Sequence, residues 1–153
     1  MSAGLPFIDE HHIEVDADRE TVWRALTETF GESGGRLFEI YGRVIGVEPD
    51  ANKGDLALAG STRIGFLVSE AAPPRRLVLT GRHRFSTYSL AWELTDGRAG
   101  RSKLSATTHA RFPGIHGRAY KVVVIDSGAH ARITGRMLRS VALKATRAKG
   151  GRS

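Results

Sequence analysis

Residues 116–148 read HGRAYKVVVIDSGAHARITGRMLRSVALKATRA, and no proline interrupts them. At 3.6 residues per turn the stretch separates into two faces. Tyr120, Val123, Ser127, His130, Thr134, Met137, Val141 and Ala145 fall on one side. Arg118, Lys121, Arg132, Arg136, Arg139 and Arg147 fall on the other. A stripe of that width must lie on something apolar, because leaving it in water costs roughly 25 cal/mol per Å². The spacing predicts one long helix laid across a sheet. His130 sits at the centre of the stripe between Ser127 and Thr134, with Asp126 one turn earlier. Leu or Ile would serve a purely structural stripe better, so these polar residues mark a place for a site. Gly128 stands inside the pattern, where glycine costs ~1 kcal/mol against alanine. Close approach of a backbone or a ligand is one reason for it, and neutral drift is another.

Working outward, the period before this helix is two rather than 3.6. Residues 62–70, 75–84, 85–95 and 102–112 read as strands, and Pro73-Pro74 as a connection. Leu77, Leu79, Gly81 and His83 share one strand face. Tyr88, Leu90, Trp92 and Leu94 share another, and Leu104, Ala106, Thr108 and Ala110 a third. At the start, residues 11–15 alternate as a half-buried strand. Asp18 then caps a helix through residue 30 that carries Val22, Leu26 and Phe30 on one face. Residues 36–45 read as a second short helix and 49–60 as a loop. Antiparallel strands with segregated helices mean an α+β fold.

The chain has 153 residues, the size of one domain, taken as 1–148 with a basic, frayed tail at 149–153. It has no cysteine, which excludes disulfides and thiolate metal sites and fits a reducing compartment. The opening MSAGLPFIDEHH has no charged leader followed by an apolar run. No apolar run reaches the ~20 residues that span a bilayer. A cytoplasmic location is expected, and the dominance of arginine over lysine fits a GC-rich bacterial genome. The net charge is +7, and residues 127–153 contain no acid, so the excess lies in the last helix and its tail. A solvated helix face explains this; an anionic partner is the alternative. The neutral remainder argues against nucleic acid.

The stretches IEVDADRETVWRAL at 13–26 and EAAPPRRLVLTG at 70–81, with the long terminal helix, resemble the SRPBCC superfamily: START-like, polyketide cyclase/dehydrase-type proteins. The likeness covers nearly the whole chain, and its motifs are structural. It implies a helix-grip fold, in which a curved antiparallel sheet wraps the C-terminal helix around a cavity. It also implies cyclase, dehydrase or carrier roles. The sequence shows five strands with clarity. The superfamily usually has more, and residues 46–60 are where short ones would lie.

His130 and His83 are the candidates for proton transfer, Asp126 for orienting His130, and Tyr88 for a hydrogen bond to a ligand oxygen. Trp92, Phe66, Thr108, Tyr120, Val123, Ser127 and Thr134 are the expected ligand contacts. The alternatives stay open: His130 as a buried imidazole satisfied by a neighbour, and His83 as a rim residue. Glu70 reads as exposed at a strand end. His11 and His12 point to opposite faces and do not share a metal. His109 and Arg111 read as outer surface, and His116 as a helix-start residue. No metal site and no cofactor are expected. The expected partner is a small hydrophobic, aromatic or polyketide-like ligand, and a homodimer is compatible with the sequence. Whether the protein is an enzyme stays open. The other reading is a non-catalytic lipid-binding or interaction module that uses the basic face of the C-terminal helix.

Overall fold

The computed structural model describes residues 4–32, 46, 48, 53–63 and 65–151. The helix expected over 36–45 and the position of Ile64 lie outside the described residues. Strand β1 (Phe7–Val15) leads into α1 (Arg19–Glu32). Then come β2 (Thr62–Arg63), β3 (Phe66–Ala72), β4 (Arg76–His83), β5 (Ser86–Asp96) and β6 (Ser102–Arg111). Helix α2 (Gly114–Lys121), a π-helical turn (Val122–Asp126) and α3 (Ala129–Gly150) complete the described chain. The strands form one antiparallel sheet in the order β1-β6-β5-β4-β3-β2.

The α+β reading holds, and so do most of its local reasons. Asp18 Oδ1 accepts the backbone N–H of Thr21 at 2.7 Å, which caps α1 as expected. Val22, Leu26 and Phe30 of α1 are buried against the inner sheet face. That face is built from Leu77 and Leu79 of β4, Leu90, Trp92 and Leu94 of β5, and Leu104 and Ala106 of β6. Leu138, Val141 and Ala145 of α3 close the same core. Each fully buried side chain of this size contributes about 1.5–3 kcal/mol. Leu56, from the stretch read as a loop, is also buried there, whereas Leu58 is exposed.

Three expectations need correction. The single strand over 62–70 is a hairpin: Thr62 pairs with Leu67 and Arg63 with Phe66, across a turn in which Gly65 has φ 83°. Alternation continues through such a turn, so the pattern alone does not reveal it. The first strand starts at Phe7, not at His11, which adds Asp9 to its inward side.

The third correction concerns the terminal helix, which is broken. Val122–Asp126 is π-helical, with Ser127 N–H bonded to the Val122 carbonyl at 3.1 Å. Gly128 then adopts φ 81° and ψ 4°. Four consecutive β-branched residues, Val122 to Ile125, weaken the α-helix there, and glycine is the residue that tolerates the left-handed step. Among the described residues no atom lies within 4 Å of a Cβ built on Gly128, so backbone conformation rather than close approach explains this glycine. Beyond the break the buried stripe is Thr134, Leu138, Val141 and Ala145, with Met137 half-buried beside it. The step rotates the faces, so Val123 is 68% exposed and Ser127 is also exposed. Helix α3 itself runs on to Gly150, into the stretch read as frayed, and Lys149 Nζ lies 2.8 Å from Asp16 Oδ1.

Candidate functional site

Two side-chain clusters, one polar and one aromatic, lie on the inner sheet face, below the broken helix. The first joins three elements. Alternation along β1 turns Asp9, His11, Ile13 and Val15 inward, and the register sets Asp9 opposite Thr108 and His11 opposite Ala106. His130 enters from the first turn of α3. Its Nε2 lies 3.1 Å from Thr108 Oγ1 and 3.5 Å from Asp9 Oδ1. The other carboxylate oxygen, Asp9 Oδ2, lies 3.1 Å from His11 Nε2. Asp9 Oδ1 is buried and has no closer hydrogen-bond partner among the described residues. The carboxylate is thus flanked by two imidazoles.

The second cluster is aromatic. Tyr120 of α2 stacks on Phe85 at 5.4 Å between centroids and meets the His83 ring edge-on at 4.7 Å. His83 also faces Tyr88 at 5.7 Å. From Tyr88 the rings continue through Phe66 and Phe30 to Trp92, at 5.6, 6.0 and 5.6 Å. Such offset and edge contacts suit aromatic quadrupoles. His83 Nδ1 accepts the Phe85 backbone N–H at 3.1 Å, which leaves Nε2 to carry the proton of the neutral ring. Burial holds its pKa below the ordinary imidazole value.

Tyr88 donates its phenolic proton to the Gly65 carbonyl at 2.6 Å, and burial pushes its ionisation far above the usual tyrosine range. Gly81 makes this possible. A Cβ there would lie 2.8 Å from the Tyr88 hydroxyl and would collide with the Gly65 carbonyl oxygen. Trp92 is fully buried, yet its Nε1–H has no acceptor among the described residues.

The clusters adjoin. Tyr88 pairs with Ala110 and Leu90 with Thr108, so Tyr88 and Thr108 are diagonal neighbours on one face. The structure therefore brings His130, Thr108, His83, Tyr88, Tyr120, Phe66 and Trp92 to one side of the sheet, as the sequence suggests.

Four expected residues stand elsewhere. Asp126 is exposed and makes no hydrogen bond or ion pair among the described residues; Asp9 is the carboxylate beside His130. Val123 faces outward. The Ser127 hydroxyl bonds the Val123 carbonyl and accepts the Ala129 N–H at 3.4 Å, so it serves the helix break. The buried Thr134 hydroxyl bonds the His130 carbonyl at 3.0 Å, inside its own helix. Asp9 and His11 were legible in principle, because they extend the Ile13–Val15 alternation by two further steps.

Outside the site, Glu70 is exposed beside Arg76 at 3.2 Å, and His12 and His116 are exposed. His109 lies edge-on to Phe7 at 5.8 Å, away from the cluster face. Among the described residues no group of three or more His, Cys, Asp or Glu is disposed to hold a metal ion, and no helix is long and apolar enough to cross a membrane.

No protein family matches the sequence, and no curated protein does. Solved structures do resemble the fold. A protein from Nitrosospira multiformis matches with a TM-score of 0.60 and 11% identity, over 89% of this chain and 94% of its own. The Zhui aromatase/cyclase from a Streptomyces species matches with a TM-score of 0.56 and 17% identity, over 91% and 93%. An uncharacterised protein from Rhizobium leguminosarum matches with a TM-score of 0.55 and 16% identity, over 91% and 95%. Likeness at this level speaks for the arrangement of elements alone, and on that evidence the chain has a helix-grip fold.

Proposed function

We propose that the protein binds a small, largely apolar ligand, aromatic or polyketide-like, between the inner sheet face and the broken C-terminal helix. The observation that carries the reading is the side-by-side placement of the Asp9–His130–Thr108 cluster and the His83–Tyr88–Tyr120 cluster on one face. A purely structural sheet would fill that face with aliphatic side chains. Rings along Tyr88, Phe66 and Trp92 suit a planar, apolar ligand, and a few converging polar groups suit its oxygens.

The same groups support cyclase/dehydrase-type acid–base chemistry on a hydroxy-ketone. One imidazole takes a proton from the carbon next to the carbonyl. The imidazolium so formed gives that proton to the departing hydroxyl, so that water leaves and a carbon–carbon double bond forms. His83, held neutral with its proton on Nε2, suits a hydrogen bond to the ketone oxygen. His130, braced by Thr108 and Asp9, suits the acceptor role. Asp9 takes the orienting part that spacing alone assigns to Asp126. No cofactor enters this scheme.

The test is titration of the purified protein with planar aromatic polyketide analogues, followed by intrinsic fluorescence, since Trp92 adjoins the proposed ligand. Saturable quenching that Tyr88→Ala and His130→Ala weaken supports the reading. Unchanged affinity in both variants overturns it.

A further inference from the structure

The outward side of the C-terminal helical segment plays no part in that reading, and it has an unusual surface. Ile115, Val122 and Val123 are 83%, 58% and 68% exposed. Ile115, Arg118 and Val122 follow the i, i+3, i+7 spacing of one helix face. The opposite side of α2 is already packed: the Gly117 position abuts the backbone of Phe85 and Phe112, and Tyr120 stacks on Phe85. The segment thus carries aliphatic side chains beside a cation on the side where a solvated helix is normally polar throughout. Ile133 and Leu143 are exposed farther along. Of the eight exposed large hydrophobic residues among those described, five lie between 115 and 143, so the exposure is concentrated rather than scattered.

Cations accompany these aliphatics. Arg118, Arg132, Arg136, Arg139 and Arg147 are exposed and form no ion pair among the described residues. Lys144 and Lys149 face Glu28 and Asp16 instead. Asp126 is the sole acid from residue 114 to 150. A second copy is a poor occupant, because a twofold contact would bring the same arginines face to face. Nucleic acid would use the arginines but not the aliphatics. A bilayer with anionic headgroups uses both: branched side chains enter the acyl boundary while guanidinium groups meet phosphate.

We propose that the outward face of the segment from Ile115 to Arg147 docks on an anionic lipid bilayer. The proposal does not rest on the ligand reading. It is tested with the full chain by co-sedimentation with vesicles of phosphatidylcholine alone and of phosphatidylcholine mixed with phosphatidylserine. Binding is expected to the mixed vesicles. The double variant Val122→Asp/Val123→Asp should weaken it by about tenfold or more, as should Arg118→Glu/Arg132→Glu. These side chains are exposed, so the melting temperature should stay near that of the parent. Absence of binding to mixed vesicles overturns the proposal, and so does binding that the aspartate pair leaves intact. A dimer that the aspartate pair dissociates, without vesicle binding, assigns the face to a second copy and also overturns it. Ligand titration of the same variants without vesicles separates the two proposals, since docking can fail while ligand binding persists.

Discussion

His130 Nε2 lies 3.5 Å from Asp9 Oδ1, although the two residues come from opposite ends of the chain. The contact joins the edge strand β1 to the first turn of α3, next to the point where the terminal helix breaks. It puts Asp9, and not Asp126, beside His130.

The two aspartates therefore have different expected behaviour. Asp126→Asn should leave ligand affinity and any turnover unchanged, because Asp126 is exposed. Asp9→Asn should weaken them. His130→Ala should lower any turnover by about 10²-fold or more, the usual scale for a lost general acid or base. Ligand titration and turnover assays of the three variants, with melting curves as a folding control, check this ranking. Equal effects of the two aspartate changes would contradict it.

Gly81 and Tyr88 form a steric pair that can be broken from either side. Gly81→Ala should destabilise the fold by roughly 1–3 kcal/mol, the usual scale of overpacking, since the new methyl meets both the Tyr88 hydroxyl and the Gly65 carbonyl. Tyr88→Phe removes only the hydrogen bond to Gly65 and should cost about 1 kcal/mol. Urea unfolding of both variants distinguishes the two magnitudes.

At Gly128 the cost should be conformational alone. A Cβ meets nothing within 4 Å among the described residues, but φ is 81°. Gly128→Ala should destabilise by about 1–2 kcal/mol, and Gly128→Asn by less, because asparagine tolerates the left-handed region better. Equal stability of the alanine variant would mean that the helix can run through the break.

Stability should fall on both sides of neutral pH. Burial lowers the His83 pKa, so below about the ordinary value of 6.5 the unfolded chain binds a proton that the folded chain resists, and acidification destabilises. Burial raises the Tyr88 pKa, so above the ordinary value of 10.0 the unfolded chain loses a proton that the folded chain keeps, and alkalinisation destabilises. Melting temperature against pH measures both limbs. His83→Asn should flatten the acid limb and Tyr88→Phe the alkaline one.

The class of the fold is legible in the residues themselves, because its signals are local. Alternation from Arg75 to Arg111 reports which side of a strand meets the core. The spacing of Val22, Leu26 and Phe30 reports one helix face, and Asp18 reports where that helix starts. The same alternation was enough to put His83, Tyr88, Trp92 and Thr108 on a common side.

Which of these groups meet was settled only by long-range packing. The partner of His130 comes from β1, and pairing of β1 with β6 is a choice that residue spacing does not encode. The Asp126 assignment failed because it assumed an unbroken helix, whereas a β-branched run and a left-handed glycine rotate everything before residue 129 relative to α3. Periodicity assumes one constant turn angle. A single π turn and one positive φ change that angle, which leaves Val123 and Ser127 in solvent.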